Sequence, residues 1–274
     1  MQCGKVTDLL EKQWNPAEAC DWDNVGLLVG SREKEVKKIM VALDATDDVI
    51  DQAVAAQADM LITHHPMIFR GMKRITDGDF IGRRVMKLIR HDISYYAMHT
   101  NFDVYGMGDA AADRLGLISD GVLEYTGCRE TKELGIDSID SKDSIEELGI
   151  GKKGHLPKQM TVQECAKLVK ERFGLNSVRF FGDPEKIVFY VAVSPGSGKN
   201  EIEPALEAGI DLLITGDIDH HDGIDAVAQG LAVIDAGHYG LEHIFGEYMK
   251  QYLEKQLPEL AVVRAVEHEP FQVV

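Results

Sequence analysis

The sequence repeats one order of apolar and amphipathic segments, and this repeat most strongly limits how the chain can fold. The segment DMLITHH (59–65) returns as DLLITGD (211–217), with the same spacing of apolar residues. Each segment is the second of three short apolar runs that alternate with stretches of helical periodicity. Such alternation predicts parallel strands joined by helical crossovers. We therefore expect an α/β protein that contains a duplicated unit.

The predicted elements follow the same order in both halves of the chain. The first half has predicted strands at 37–45, 59–63 and 93–99 and predicted helices at 47–57 and 80–91; the second half has strands at 186–194, 211–217 and 231–238 and helices at 200–209 and 222–230. The polar, acidic segment between the halves has weak periodicity and is typical of a connector. We predict a first lobe at 1–125, a connector at 126–155 and a second lobe at 156–274, with mainly parallel sheets flanked by helices.

Charge and cysteine content narrow the range of functions. The chain has 46 acidic and 29 basic residues and a formal net charge of −17, which opposes binding to nucleic acid or anionic lipid. Its four cysteines lie far apart without a CxxC pair, which argues against a disulfide framework or a thiolate zinc site. No window is apolar over the length of a bilayer, and the first residues do not resemble a signal peptide. We expect a cytoplasmic protein without membrane or nucleic-acid partners.

Two adjacent histidines end the predicted strand at 59–63. The carboxyl ends of parallel strands are where ligands commonly bind, so His64 and His65 are candidate metal ligands. Neighbouring residues on a regular strand point to opposite faces, so both can serve one site only if the backbone turns, and Pro66 is consistent with a turn. The alternative is a pair of solvated loop histidines.

Two later segments offer further ligands after predicted strands. HTNFD (99–103) supplies Asp103, although an aspartate there also suits a turn or a helix cap. GHYGLEH (237–243) places His238 and Glu242 four residues apart at the start of a predicted helix, on one face. The alternative role for Glu242 is stabilisation of the helix N-terminus through the macrodipole.

Together these segments supply more ligands than one metal ion needs. Three histidines, an aspartate and a glutamate suit two divalent ions bridged by a carboxylate and a water. Nitrogen and oxygen ligands without sulfur leave zinc, iron, manganese, cobalt and nickel as candidate metals. Each of these signals is weak by itself, but three strand ends that all offer imidazole or oxygen ligands favour a metal site.

Two other motifs do not fit the functions that they resemble. PGSGKN (195–200) resembles the end of a phosphate-binding loop, but Val193 stands where the first glycine is needed and Asn200 replaces the serine or threonine. GIGKKGHL (149–156) contains GxGxxG, but no buried strand is predicted before it, and we interpret it as a turn. Either segment could still offer backbone N–H groups to an anion.

Several motifs resemble one known family in their order along nearly the whole chain. They are WDNVGLLVG, VALDAT, ITHHPMIF, HTNFD, GIGKKGHLP, TGDIDHHD and GHYGLEH. This combination resembles the GTP cyclohydrolase 1 type 2 homologues, also called NIF-three-like proteins. Longer members carry an inserted domain, for which this chain has no room, so it resembles the short form.

The resemblance implies a fold, a ligand set and an assembly. It implies two α/β lobes with a metal site in the cleft between them, and a toroidal homohexamer. The implied ligands of two divalent ions are His64, His65, Asp103, His238 and Glu242, with Glu242 bridging the ions. His99 and His221 occupy the positions of supporting or substrate-facing histidines. Relatives usually have glutamate where this chain has Asp217, so the role of Asp217 stays open.

The chemistry of two bridged ions favours hydrolysis. Such ions generate hydroxide near neutral pH and polarise carbon or phosphorus centres. The sequence therefore predicts a metal-dependent hydrolase, and the family resemblance suggests a purine nucleotide as its small-molecule substrate. Arg70 and Lys73 are the candidate cations near the ligands for a triphosphate. The alternative is a noncatalytic protein that binds or delivers metal, or that interacts with regulatory machinery.

Overall fold

The computed structural model describes residues 1–130 and 145–273, which divide into two compact units, each built around one sheet. The first unit contains Met1–Phe102 and Phe245–His268. The second contains the described residues of Asp103–Ile244 and the C-terminal residues from Glu269. Helices and strands alternate in both units, which confirms the prediction of an α/β protein.

The elements are numbered in chain order. The strands are β1 (Gly26–Val29), β2 (Lys38–Ala42), β3 (Met60–Thr63), β4 (Ser94–Ala97), β5 (Ile118–Glu130), β6 (Ile145–Thr161), β7 (Arg179–Phe181), β8 (Ile187–Ser197), β9 (Leu212–Gly216), β10 (Ala232–Asp235) and β11 (Ala261–Arg264). The helices are α1 (Cys3–Gln13), α2 (Asp47–Ala55), α3 (Phe80–Arg90), α4 (Thr100–Phe102), α5 (Gly108–Leu115), α6 (Val162–Arg172), α7 (Ile202–Glu207), α8 (His220–Ala228), α9 (His238–Glu242) and α10 (Ile244–Gln256).

The sheet of the first unit has the strand order β1-β4-β3-β2-β11. Only β1 runs antiparallel to its neighbour, and the other three pairings are parallel. Every residue of β3 and β4 is buried, as expected for parallel strands that helices cover. Leu61 and Tyr95 lie side by side and pack in a core with Val49 of α2 and Val85 of α3.

The sheet of the second unit is mixed and has the order β5-β6-β8-β9-β10-β7. Its centre, β8, β9 and β10, is parallel, while β5, β6 and β7 pair antiparallel with their neighbours. Leu213 and Val233 of the parallel strands pack with Ala205 of α7 and Ala226 of α8. The parallel part of this unit therefore buries its side chains against its crossover helices, as in the first unit.

The two units share one arrangement of strands and helices. The series β2-α2-β3-α3-β4 in the first unit corresponds to β8-α7-β9-α8-β10 in the second. In each unit an antiparallel strand, β1 or β7, pairs with the last strand of the series. This agreement confirms the predicted duplication of an α/β unit.

The bounds of the units differ from the predicted lobes of 1–125 and 156–274. The chain returns to the first unit near its end, because β11 pairs in parallel with β2, with Ala261 beside Lys38. Within the predicted connector, residues 126–130 belong to β5 and residues 145–155 belong to β6. Residues 131–144 of that connector lie outside the described residues.

The interpretation of GIGKKGHL as a turn is wrong, because these residues lie within β6. A Cβ atom on Gly149 would lie 2.1 Å from the Glu124 carbonyl oxygen, and one on Gly154 would lie 2.2 Å from that of Ile118. The glycines therefore allow the backbones of β5 and β6 to approach closely, which explains them without a ligand.

Two further observations concern membrane-spanning helices and the state of the cysteines. Among the described residues, the helices are all too short or too polar to cross a bilayer. Cys3, Cys20, Cys128 and Cys165 are free thiols, and Cys3 and Cys165 are buried. The cytoplasmic location stays a prediction.

Candidate metal centre

Three histidines cluster at the carboxyl ends of two neighbouring strands in the first unit. His64 and His65 directly follow β3, and His99 follows β4, which pairs in parallel with β3. One ring nitrogen from each histidine lies within 4.8 Å of the other two. The ring centroids are 4.9, 5.2 and 5.5 Å apart. Imidazoles at this spacing can hold a divalent cation.

Each of these imidazoles has an oxygen atom against its Nδ1 atom. The pairs are His64 with the Met98 carbonyl (2.9 Å), His65 with Asp44 Oδ1 (2.9 Å) and His99 with Asp23 Oδ1 (3.0 Å). Carbonyl and carboxylate oxygens only accept hydrogen bonds here, so Nδ1 carries the proton and the lone pair of a neutral ring is on Nε2. Proteins orient metal-binding histidines in this way.

Asp23 holds His99 as an ionised carboxylate. Its second oxygen accepts hydrogen bonds from the Thr100 backbone N–H (3.0 Å) and the Thr100 hydroxyl (2.7 Å). Burial raises the pKa of Asp23, but the hydrogen bonds from His99 and Thr100 outweigh it and place the pKa well below its usual range. The fixed negative charge therefore orients the ring of His99.

Asp44, which orients His65, lies on a loop that Glu267 holds in place. The Glu267 carboxylate accepts hydrogen bonds from the backbone N–H groups of Leu43 (2.9 Å) and Asp44 (3.1 Å). Burial raises the pKa of Glu267, although these hydrogen bonds oppose the rise. The turn after β2 is thereby fixed, and Asp44 is positioned against the imidazole.

His238 of the second unit lies between two carboxylates. Its Nδ1 atom is 2.9 Å from Asp217 Oδ2, and its Nε2 atom is 2.9 Å from Glu242 Oε2. Without a cation, a proton is needed between Nε2 and Glu242 Oε2 as well as on Nδ1, because neither pair of atoms could otherwise form a hydrogen bond. A ring nitrogen and a carboxylate oxygen this close to one another could also hold one divalent cation together. His238 and Glu242 therefore fit a shared divalent cation.

The structure gives Asp217, whose role the sequence left open, a contact with His238. It follows β9 with a φ of 57°, a left-handed conformation that aspartate tolerates better than most residues. This conformation accompanies the contact of its carboxylate with His238 Nδ1. Asp217 thus supports His238 as Asp44 supports His65.

One buried carboxylate fixes the two loops that carry Asp217 and His238. Asp235 Oδ2 accepts hydrogen bonds from the Ile218 backbone N–H (3.0 Å) and from Arg179 (2.7 and 2.9 Å). Asp235 Oδ1 accepts one from the Gly237 backbone N–H (2.9 Å). The loops after β9 and β10 are therefore tied to one another within the second unit.

Asp103 begins a kinked helical segment, Asp103–Met107, and is partly buried. Its charge acts on Glu201, whose side chain is nearly inaccessible. Burial raises the pKa of Glu201 to about 7, and the negative charges of Glu124 and Asp103 add to the rise. Asp103 thus lies in an acidic part of the second unit, which suits a ligand for a cation.

His99 and His221, to which the family resemblance gives supporting roles, lie in different environments. His99 lies at ligand distance from His64 and His65, whereas the resemblance implies a supporting role. His221 is exposed in the first turn of α8, with its ring 5.2 Å from that of His220. It belongs to neither cluster described above, and its role stays a prediction.

Sequence reasoning missed the acids behind the imidazoles. Asp23 and Asp44 fall within the quoted motifs WDNVGLLVG and VALDAT, but neither was singled out as a hydrogen-bond acceptor. For Asp44 the usable signal was an acid just after β2, the strand that neighbours β3. Asp23 precedes β1, and its pairing with His99 has no such local signal.

The comparisons with known proteins identify the family of this chain. The family described as Duf34/NIF3 (NGG1p interacting factor 3) matches residues 1–270. The chain belongs to this family. A protein of Clostridium acetobutylicum named GTP cyclohydrolase 1 type 2 homolog is 37% identical over 244 residues, which cover 88% of this chain and 85% of the relative. The resemblance found in the motifs is therefore confirmed.

A solved structure and a longer relative extend the comparison. The crystal structure of Staphylococcus aureus hypothetical protein SA1388 has a TM-score of 0.88 and 29% identity, covering 100% of this chain and 99% of that one. A Staphylococcus epidermidis protein, also named GTP cyclohydrolase 1 type 2 homolog, is 30% identical over 345 residues, covering 92% of this chain and 94% of the relative. That span exceeds the 274 residues of this chain. The longer relative therefore has insertions, and this chain is a short form.

Proposed function

We propose that this Duf34/NIF3 protein is a dinuclear metal-dependent hydrolase. Its ligands would be His64, His65, Asp103, His238 and Glu242, with Glu242 bridging the ions. Two observations carry the proposal: His64 and His65 bring ring nitrogens within 4.8 Å of one another, each with an oxygen acceptor at Nδ1, and His238 Nε2 lies 2.9 Å from Glu242 Oε2. A structural histidine cluster would not need every ring fixed with Nε2 as the basic atom.

The ligand set determines which metals fit and what they supply. Imidazole and carboxylate without thiolate suit zinc, iron, manganese, cobalt or nickel. Two such ions would supply Lewis acidity and a water of lowered pKa for attack on a carbon or phosphorus centre. The carboxylate of Glu242 would offset the repulsion between the ions, since a bridging negative charge is close to both.

The substrate and the assembly are further parts of this proposal. Relatives bear the name GTP cyclohydrolase 1 type 2 homolog, which supports a purine nucleotide as the small-molecule substrate. The family resemblance supports a homo-oligomer, a toroidal hexamer, in the cytoplasm. The alternative, a noncatalytic protein for metal binding or delivery, would use the same oriented ligands.

The test combines metal analysis with an activity assay. The protein is purified without chelators, its metal content is measured by elemental analysis, and the same sample is assayed against nucleotides and phosphoesters. We expect about two divalent ions per chain and hydrolysis of a nucleotide. The His65→Ala variant should lose metal and activity, whereas His91→Ala, an exposed histidine at the end of α3, should keep both.

Two results would count against the proposal. Full metal content in His65→Ala would remove that residue from the ligand set. Metal that exchanges without turnover of any nucleotide or phosphoester would favour the noncatalytic alternative. A sedimentation measurement on the same sample tests the assembly, and a monomer at micromolar concentration would contradict it.

A further inference from the structure

Two exposed aromatic rings stand beside the histidine cluster of the first unit. Trp22 is 59% exposed and Phe69 is 45% exposed, and their ring centroids are 5.7 Å apart. The Trp22 ring is also 6.0 Å from the ring of His99. We call Trp22 and Phe69 the aromatic platform. Large apolar rings exposed next to candidate metal ligands are a common feature of ligand-binding surfaces.

Hydrogen bonds made by the two residues after Trp22 hold the aromatic platform in place. The next residue, Asp23, accepts hydrogen bonds from Thr100 and contacts His99. Asn24 Nδ2 donates to the Ile68 carbonyl (2.5 Å), which ties the Trp22 loop to the residue before Phe69. The exposed rings are therefore carried by anchored loops, and a ligand would find them already positioned.

A cavity of about 530 Å³ adjoins Phe69 and is lined by three cations, Arg70, Lys73 and Arg74. Among the described residues none of the three forms an ion pair or a side-chain hydrogen bond. The acid that lines this cavity, Asp79, accepts a hydrogen bond from the Gly82 backbone N–H as the N-cap of α3. We call this space the cationic cavity.

The charge of this cavity is unusual for the chain. The protein has a net charge of −17, and Arg32, Arg84 and Lys87 of the same unit each form an ion pair. Three unpaired cations on one short loop in an acidic protein indicate a place for an external anion. Arginine and lysine are the side chains that proteins use to bind phosphate groups.

We infer that the aromatic platform and the cationic cavity together form the binding site for a nucleoside phosphate. The base stacks on Trp22 and Phe69, and the phosphates lie against Arg70, Lys73 and Arg74. Phe69 belongs to both features and Trp22 contacts His99, so one ligand would extend from the cavity towards the histidine cluster. This inference rests on the proposed function, because it names the groups that bind the substrate of that site.

The experiment separates the base from the phosphates with three probes. GTP, guanosine and inorganic tripolyphosphate are titrated calorimetrically into the metal-containing protein, and the samples are then analysed for products. Trp22→Ala should weaken GTP and guanosine binding by roughly 5- to 150-fold, since a stacked base loses its partner. The same variant should leave tripolyphosphate binding within about twofold.

The cationic variant should give the opposite pattern. The double variant Arg70→Ala/Lys73→Ala should weaken GTP and tripolyphosphate by roughly 2- to 30-fold, since exposed charge pairs are individually weak. It should leave guanosine binding unchanged. Arg90→Ala, an exposed cation on α3 outside the cavity, and Phe80→Ala, an exposed ring outside the platform, are the matched controls.

Several results would overturn the inference. Unchanged GTP affinity in Trp22→Ala would do so, as would equal losses in Arg90→Ala and the double variant, which would indicate a general charge effect. A change in sedimentation of Trp22→Ala without a change in affinity would assign the rings to a protein interface.

The product analysis separates this inference from the proposed function. If nucleotide turnover is unchanged in all of these variants, the protein is a hydrolase but the inferred binding site is refuted. The expected binding pattern without turnover keeps the site and refutes the hydrolase.

Discussion

Glu201 should make the stability of the protein depend on pH across the neutral range. Its side chain is buried, with 6% of the residue exposed, and burial together with Glu124 and Asp103 raises its pKa from 4.5 to about 7. Since each pKa unit corresponds to about 1.4 kcal/mol, this rise amounts to about 3 kcal/mol. The folded-state pKa is the higher one, so the contribution to stability is fully present below the unfolded value and is lost as pH rises through about 7.

Substitution of Glu201 by glutamine measures this contribution. Glutamine keeps the size of the side chain and cannot ionise, so Glu201→Gln should lack this pH dependence. Between pH 5 and pH 8, the free energy of unfolding of the wild type should fall by about 2–3 kcal/mol relative to the variant.

The assay is urea unfolding, followed by circular dichroism, of chelator-treated protein at both pH values. Removal of metal keeps Asp103 as a carboxylate with its full charge on Glu201. Parallel stability curves for the two proteins from pH 5 to pH 8 would show that Glu201 ionises normally and would refute the reasoning.

Three further predictions concern the ligands and the thiols. His65→Ala should lower bound metal while the circular dichroism spectrum stays that of the wild type, because His65 follows a core strand and is not part of it. Asp217→Asn keeps a residue that tolerates a positive φ but removes the charge behind His238, so metal affinity should fall by about 10- to 100-fold in a competition titration with a chelator. Native protein should react with a thiol reagent at Cys128, which is exposed, and not at Cys165, whose pKa burial raises to about 12; fast labelling of Cys165 would contradict the buried environment.

The local sequence pattern was sufficient to predict the central parallel strands of the first sheet. The runs at 37–45, 59–63 and 93–99 contain β2, β3 and β4, because buried parallel strands need continuous apolar residues. The pattern could not predict that β11 joins the first sheet. The sequence of a short strand near the end of the chain does not indicate which strand it pairs with. The pairing of Ala261 with Lys38 depends on the tertiary fold.

The candidate ligands were predictable because their positions coincide with strand ends. His64, His65 and His238 all follow buried strands, and a polar residue there has no role in the core. Their orientation was not predictable in the same way. A hydrogen bond to Nδ1 depends on the neighbouring strand in the sheet, which local periodicity does not identify.

The pairing of an acid and a histidine on neighbouring strands nevertheless corresponds to a regular spacing in the sequence. Asp44 lies 21 residues before His65, and Asp217 lies 21 residues before His238. Each interval is one step from the end of a strand, through a crossover helix, to the end of the adjacent parallel strand, and the duplicated units have steps of similar length. Because adjacent strands lie about 4.8 Å apart, an acid at one end can reach an imidazole at the next. An acid one strand step before a strand-end histidine therefore predicts an oriented imidazole, whereas the pair of His99 and Asp23, 76 residues apart through β1, depends on the tertiary fold.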